Sequence, residues 1–159
     1  MKGFKVYKNF ITDKLPLNFK YIGFILLAFP EAKIVHLKRD PMAICWSIYK
    51  HFFSDQANGW AYDQFDLANY FKLYEDIMSF WHKLFPNKIY DLSYEKITIN
   101  QEDETRKLLD YCELDWDENC LNHHQNKKTI IKTVSSYQAR KPIYKTSIDS
   151  SKNYLQSLE

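Results

Sequence analysis

The 159-residue pattern predicts an α/β fold built on parallel strands. Two observations carry that expectation. Short β-branched runs, KIVHL at Lys33 to Leu37 and KIYDL at Lys88 to Leu92, alternate with longer segments of helical periodicity. The chain is also 45% hydrophobic and 17% aromatic, with a formal net charge of only +2, which excludes disorder for most of it. A chain of this length buries roughly 68–70% of the surface its unfolded form exposes, enough for a core. Two strands are fewer than a self-contained parallel sheet normally holds. Residues 1–159 therefore read as the later half of a single α/β domain, with no internal boundary or repeat.

The elements follow in order. Leu17 to Phe29 reads as an apolar helix stopped by Pro30. The strand Lys33 to Leu37 comes next. Asp40-Pro41 has the form of an N-cap followed by proline at the first helical position, and a helix from Met42 to Phe53 follows, with Ile44, Ile48 and Phe52 on one face. Ser54 to Asp63 is polar, contains Gly59 and reads as a loop. The strongest helix is Asp66 to Phe85, where Leu67, Tyr70, Phe71, Tyr74, Ile77, Met78, Trp81 and Phe85 recur at helical spacing before Pro86-Asn87. The second strand, Lys88 to Leu92, leads to a helix at Glu102 to Tyr111 whose acidic first turn suits the helix dipole. A short helix is expected near Glu118 to His124, and the pattern weakens from Asn126.

Composition also excludes several functions. Near-neutral charge removes the whole-chain argument for nucleic acid, and Lys127-Lys128 is too short for a basic tract. Gly3, Gly23 and Gly59 are each followed by Phe or Trp, so neither a Walker A loop nor a GxGxxG fingerprint can be written. Three cysteines, Cys45, Cys112 and Cys120, make no disulfide framework and favour a reducing, cytoplasmic compartment. The start lacks the continuous apolar region of a signal peptide, and YIGFILLAF is too short to span a membrane.

One place on the chain has chemical promise. Arg39 follows the first strand directly and precedes a helix, at the sheet edge where ligands of open α/β folds collect. Its planar fork suits phosphate or carboxylate. Ser47 stands eight residues on, about two helical turns, so the pair is suited to gripping one phosphate. Asp40 and Pro41 are explained by a helix start alone. Lys14 also follows a short β-like run and precedes a helix, a place from which a lysine can neutralise an anion, but taken by itself it reads as a solvated lysine at a turn. His123-His124 with Cys120 and Cys112 fits no standard zinc spacing, so no metal is expected. His36, on an apolar strand, reads as a satisfied core histidine, and the aromatic stripe of the long helix reads as packing rather than base stacking.

Taken in order, the segments DKLPLNFKYIGFILLAFPEAKIVHLKRDPMAICWSIY, WAYDQFDLANYFKLYEDIMSFW, IYDLSYEKI, TRKLLDYCELDW and SSYQARKPIYKTSIDSSKNY resemble the sulfotransferase family. The likeness is to the branch related to tyrosylprotein sulfotransferases and to bacterial sulfotransferases linked to tetratricopeptide repeats. The resemblance implies transfer of a sulfuryl group from 3′-phosphoadenosine 5′-phosphosulfate to a hydroxyl acceptor, tyrosyl or carbohydrate among the possibilities. It implies a parallel sheet similar to that of the P-loop nucleotide kinases, with flanking helices and a 5′-phosphosulfate loop after the first strand. By the same resemblance Arg39 and Ser47 match the pair that holds the 3′-phosphate. Lys14 matches a lysine that stabilises the bridging oxygen during transfer. Tyr94 and Ser135 match further cofactor contacts, and Arg140 and Lys141, with Pro142, fall in the segment that closes over the nucleotide.

The sequence departs from the family pattern in places. The N-terminal strand and its glycine-containing phosphosulfate loop are missing, and with them the usual general base. Ser150 and Ser151 stand where the branch has a basic residue and a tryptophan, with Lys145 or Lys152 as alternative cations. His51 stands where tyrosylprotein sulfotransferases have a second cofactor arginine. An N-terminal segment or a second chain is thus the partner expected to supply the loop. Two alternatives remain: a truncated, non-catalytic nucleotide-binding or interaction module of the same fold, and a kinase, which the absent Walker A lysine disfavours.

Overall fold

A computed structural model describes residues 10–53, 56–125 and 141–143. The chain divides into two compact units, Met1–Ala32 and Lys33–Glu159. Among the described residues no helix is long and apolar enough to cross a membrane.

In the first unit a 3-10 turn, Pro16–Tyr21, runs into α1, Ile22–Ala28. The single helix expected over 17–29 is therefore two pieces, joined where Tyr21 leaves helical geometry at φ −118° and ψ 10°. Pro16 starts the turn, where its missing N–H costs nothing. Ile22, Gly23 and Leu26 form the buried face of α1. Phe29 closes the helix by donating its backbone N–H to Ile25, and Pro30 prevents continuation.

The second unit is built on β1, Ile34–Lys38, and β2, Ile89–Ser93, paired in parallel from Ile34 opposite Ile89 to Lys38 opposite Ser93. The expected parallel pairing and both strands are present, each one residue later than the apolar runs suggest. Between them lie α2, Pro41–Tyr49, a 3-10 stretch at Gln56–Tyr62, and α3, Gln64–Leu84. After β2 come α4, Tyr94–Ile99, and α5, Gln101–Tyr111. Side chains alternate across a strand, so His36, Lys38, Asp91 and Ser93 share one face and Val35, Leu37, Tyr90 and Leu92 the other. Helix α3 meets the first face, where the rings of His36 and Tyr74 lie edge-on at 5.7 Å. Helix α5 meets the second, where Tyr90 stacks on Tyr111 at 5.0 Å and the Tyr111 hydroxyl donates to the Lys88 carbonyl. A helix on each face of parallel strands is the α/β layering expected. Ala43, Ala61, Leu67, Met78, Ile89 and Leu92 form the buried apolar set of this unit.

Three elements differ from the sequence pattern for local reasons. Helix α2 stops at Tyr49, and Phe52 is 81% exposed instead of continuing the Ile44–Ile48 face. Beyond Lys50 the chain turns to a side-chain partner: the Phe53 N–H donates to the Tyr62 hydroxyl, which donates to the Phe53 carbonyl. The polar stretch before α3 holds 3-10 geometry because Ala61 is buried and Trp60 stacks flat on Tyr70 at 4.0 Å. Helix α3 begins at Gln64, before the Asp66 expected, since the Asp63 carboxylate accepts the Asp66 N–H as its N-cap. The short helix expected near Glu118 to His124 is two 3-10 turns, Glu118–Cys120 and His123–Gln125.

Candidate functional site

The register of the sheet builds the site. Its last pair is Lys38 opposite Ser93, so the two residues that leave each strand, Arg39-Asp40 and Tyr94-Glu95, run side by side. This is the C-terminal end of the strands, where α/β ligand crevices form. Asp40 caps α2: its carboxylate accepts the Ala43 N–H at 2.8 Å, with Pro41 as the first helical residue. Ala43 is fully buried, which seats the helix start. Ser93 caps α4 in the same way, its Oγ accepting the Lys96 N–H at 3.2 Å.

The two turns are joined twice. The Arg39 guanidinium carbon sits 4.7 Å from the centre of the Tyr94 ring, a stacked cation–π contact. The Asp40 backbone N–H donates to Glu95 Oε1 at 2.9 Å, while Glu95 Oε2 accepts from the Ser93 hydroxyl at 3.0 Å. Burial alone raises the Glu95 carboxyl. The bonds from Asp40, its own N–H and Ser93, with the Arg39 charge, outweigh burial and hold it below the usual carboxylate range. Glu95 is thus ionised at neutral pH.

A polar chain lies under this end of the sheet. His36 Nδ1 is 2.7 Å from Asp91 Oδ1, and its Nε2 bonds the Tyr74 hydroxyl. His82 Nε2 lies 3.3 Å from Asp91 Oδ1, and the Lys38 ammonium is 3.5 Å from Asp91 Oδ2. Burial lowers His36 below its ordinary value, against the raising effect of Asp91. Burial would raise Asp91, but the His36 bond and the His36, Lys38 and His82 charges together hold it below the ordinary value. At neutral pH the consistent state is a neutral His36 that donates from Nδ1 to an ionised Asp91 and accepts the Tyr74 proton at Nε2. Donor atoms of three groups, His36, His82 and Asp91, lie within 4.8 Å of one another, and three is the number of protein ligands a catalytic zinc takes. The Asp91 carboxylate already bonds the His36 ring and lies 3.3 Å from that of His82, and Lys38 adds positive charge beside it. The donor set thus acts as a hydrogen-bonded brace across β1, β2 and α3.

The structure brings Arg39 and Tyr94 together at the strand ends. Ser47 is half-buried on α2, the helix that the Arg39-Asp40 turn launches, about 9 Å along its axis from Pro41. Lys14 is exposed and belongs to the first unit, in the extended residues before the 3-10 turn. Lys141 is exposed. Ser135 and Arg140 lie outside the described residues, as do Lys145, Ser150, Ser151 and Lys152. His51 is exposed, its ring edge-on to Phe53 at 4.8 Å. His36 is satisfied at both nitrogens, as expected, though through a polar chain rather than an apolar core. Two features were missed: Glu95, and the grouping of Tyr74, His82 and Asp91 around His36. The signal for Glu95 was present, since aligning the ends of the two strands sets it beside Asp40.

Comparison with known proteins adds a family. The model of the sulfotransferase family matches residues 2–118. An uncharacterized protein of Aquifex aeolicus (strain VF5) is 40% identical over 146 residues, covering 91% of this chain and 19% of that protein. The chain therefore spans about a fifth of the length of that relative.

Proposed function

Because the chain belongs to the sulfotransferase family, we propose that it binds 3′-phosphoadenosine 5′-phosphosulfate and takes part in moving the sulfuryl group to a hydroxyl acceptor. The observation that carries this reading is the clasp at the strand ends, a half-buried guanidinium stacked on Tyr94 at the start of a capped helix. Arg39 presents its fork to the 3′-phosphate, and Ser47 donates its hydroxyl from the second turn of α2. Tyr94 holds the guanidinium plane. These groups orient the nucleotide and do none of the bond-making.

In the transfer itself the acceptor oxygen attacks sulfur in line, the bond from sulfur to the phosphate oxygen breaks, and the nucleotide bisphosphate departs. The acceptor proton passes to a base. Negative charge grows on the bridging oxygen, where a positioned cation stabilises it by about 2–4 kcal/mol when water is excluded. By the family resemblance Lys14 is the cation proposed for that oxygen, with Ser135, Arg140 and Lys141 proposed as nucleotide contacts. The 5′-phosphosulfate loop comes from residues outside these 159, on the same or a second chain. The three glycines, each followed by Phe or Trp, support this, because neither a Walker A loop nor a GxGxxG fingerprint can be written from them.

The test has two stages. Melting with and without 3′-phosphoadenosine 5′-phosphate should show a ligand-dependent rise that ATP does not match and that Arg39→Ala removes. Labelled donor and tyrosyl peptides, carbohydrates or small alcohols should then yield a labelled acceptor once a loop-bearing segment is joined to the chain. A melting temperature indifferent to the bisphosphate refutes the reading. Binding without any transfer from the joined form leaves a nucleotide-binding module.

A further inference from the structure

We propose that Glu95 is a positioning residue of the nucleotide clasp, resting on the proposed reading of that site. Its carboxylate is a hydrogen-bonded link between the two turns that end the strands. One oxygen accepts the Asp40 N–H at 2.9 Å; the other accepts the Ser93 hydroxyl at 3.0 Å. Asp40 is the residue after Arg39 and the N-cap of α2, so its backbone sets both where the guanidinium leaves the strand and where the helix bearing Ser47 begins. Ser93 is the N-cap of α4, so its backbone sets where Tyr94, the ring under that guanidinium, stands. One side chain therefore fixes the anchor points of the arginine, its aromatic support and the serine.

Charge adds a second effect. Glu95 is half-buried, and the Arg39 charge is among the influences that keep it ionised. That carboxylate charge competes weakly with an arriving anion, so Glu95 favours the clasp through geometry and opposes it slightly through charge. Glu95 does not touch the nucleotide and acts through Asp40 and Ser93.

The two effects separate in three variants. Glu95→Ala removes both bonds. Glu95→Asp keeps the charge on a stem one methylene too short to reach both partners. Glu95→Gln loses the charge but keeps a carbonyl oxygen for the Asp40 N–H and an amide for the Ser93 hydroxyl. Calorimetric titration of the whole chain with 3′-phosphoadenosine 5′-phosphate should show affinity about tenfold weaker for Glu95→Ala and Glu95→Asp, the worth of a charge-assisted bond. Glu95→Gln should bind like the unsubstituted chain or better. If Glu95→Ala does not fold, Glu95→Asp against Glu95→Gln carries the same comparison. Unchanged affinity in Glu95→Asp overturns the proposal, as does a Glu95→Gln loss as large as that of Glu95→Asp. No binding by the unsubstituted chain overturns the reading of the site itself, a different result from binding that ignores Glu95.

Discussion

Replacing Asp91 by alanine should destabilise the second unit, and by an amount the geometry sets. The carboxylate accepts from His36 at 2.7 Å and lies 3.3 Å from His82 and 3.5 Å from Lys38. The His36 side chain is only 12% exposed, so its bond to a charged acceptor is the large contribution, about 1.5–3 kcal/mol. The other two partners are 38% and 57% exposed, so those pairs add about 0–1 kcal/mol each after solvent screening. The sum is about 1.5–5 kcal/mol, or about 3–20 °C in melting temperature for a chain of this size. Acid should enlarge the gap. His36 is held below 6.5 by burial, so as the pH falls through 6.5 the unfolded chain takes up its proton first. Stability from the neutral ring is full above 6.5 and drains as the pH falls towards the lower folded value. Asp91 raises His36, so alanine lowers that folded value further and lengthens the drain. Asp91 itself, held below 3.8, contributes stability above 3.8 that is lost only below it. Thermal melts by circular dichroism at neutral pH and at about pH 5 measure both effects. A variant that melts with the parent at neutral pH, or a gap that narrows in acid, refutes the reasoning.

Other outcomes follow from the same site. Asp40→Ala removes the α2 N-cap and should cost about 1 kcal/mol, read as a drop of about 2–4 °C in melting temperature. Tyr94→Phe keeps the ring face under Arg39 and should leave affinity for 3′-phosphoadenosine 5′-phosphate unchanged, whereas Tyr94→Ala should weaken it about two- to fivefold by calorimetry. Burial pushes the thiols of Cys45 and Cys112 up, with the Asp40 charge adding to Cys45, so both should react with a disulfide reagent at neutral pH more slowly in the folded chain than in denaturant.

What the sequence disclosed was what local chemistry decides. Asp40-Pro41 announces a cap and a first helical residue whatever packs above it, and both are present. The α3 periodicity runs through five turns, long enough for the apolar face to be unmistakable. Helix α4 has six residues, too few for a period, and is held by the Ser93 cap and by Thr98 bonding back to the Tyr94 carbonyl. The early end of α2 depends on Tyr62, which bonds Phe53 from 9 residues further along the chain, and no pattern within the helix reveals such a partner.

The brace was hidden for a further reason. His36 and Asp91 are 55 residues apart, and each looks ordinary alone: a histidine on an apolar strand, an acid in KIYDL. Only the parallel register, His36 opposite Asp91, makes them a pair, and only α3 brings Tyr74 and His82 to it. The same register sets Arg39 beside Tyr94 and Asp40 beside Glu95. Site and brace therefore stand or fall on one alignment of two five-residue strands. A slip of one residue would turn Asp91 to the α5 face and separate Glu95 from Asp40 at once. The polar chain around the half-buried His36 opposes that slip, because a shifted register would leave His36 desolvated with no carboxylate to accept its proton. In this way a bond that never touches a nucleotide fixes the residues that are proposed to hold one.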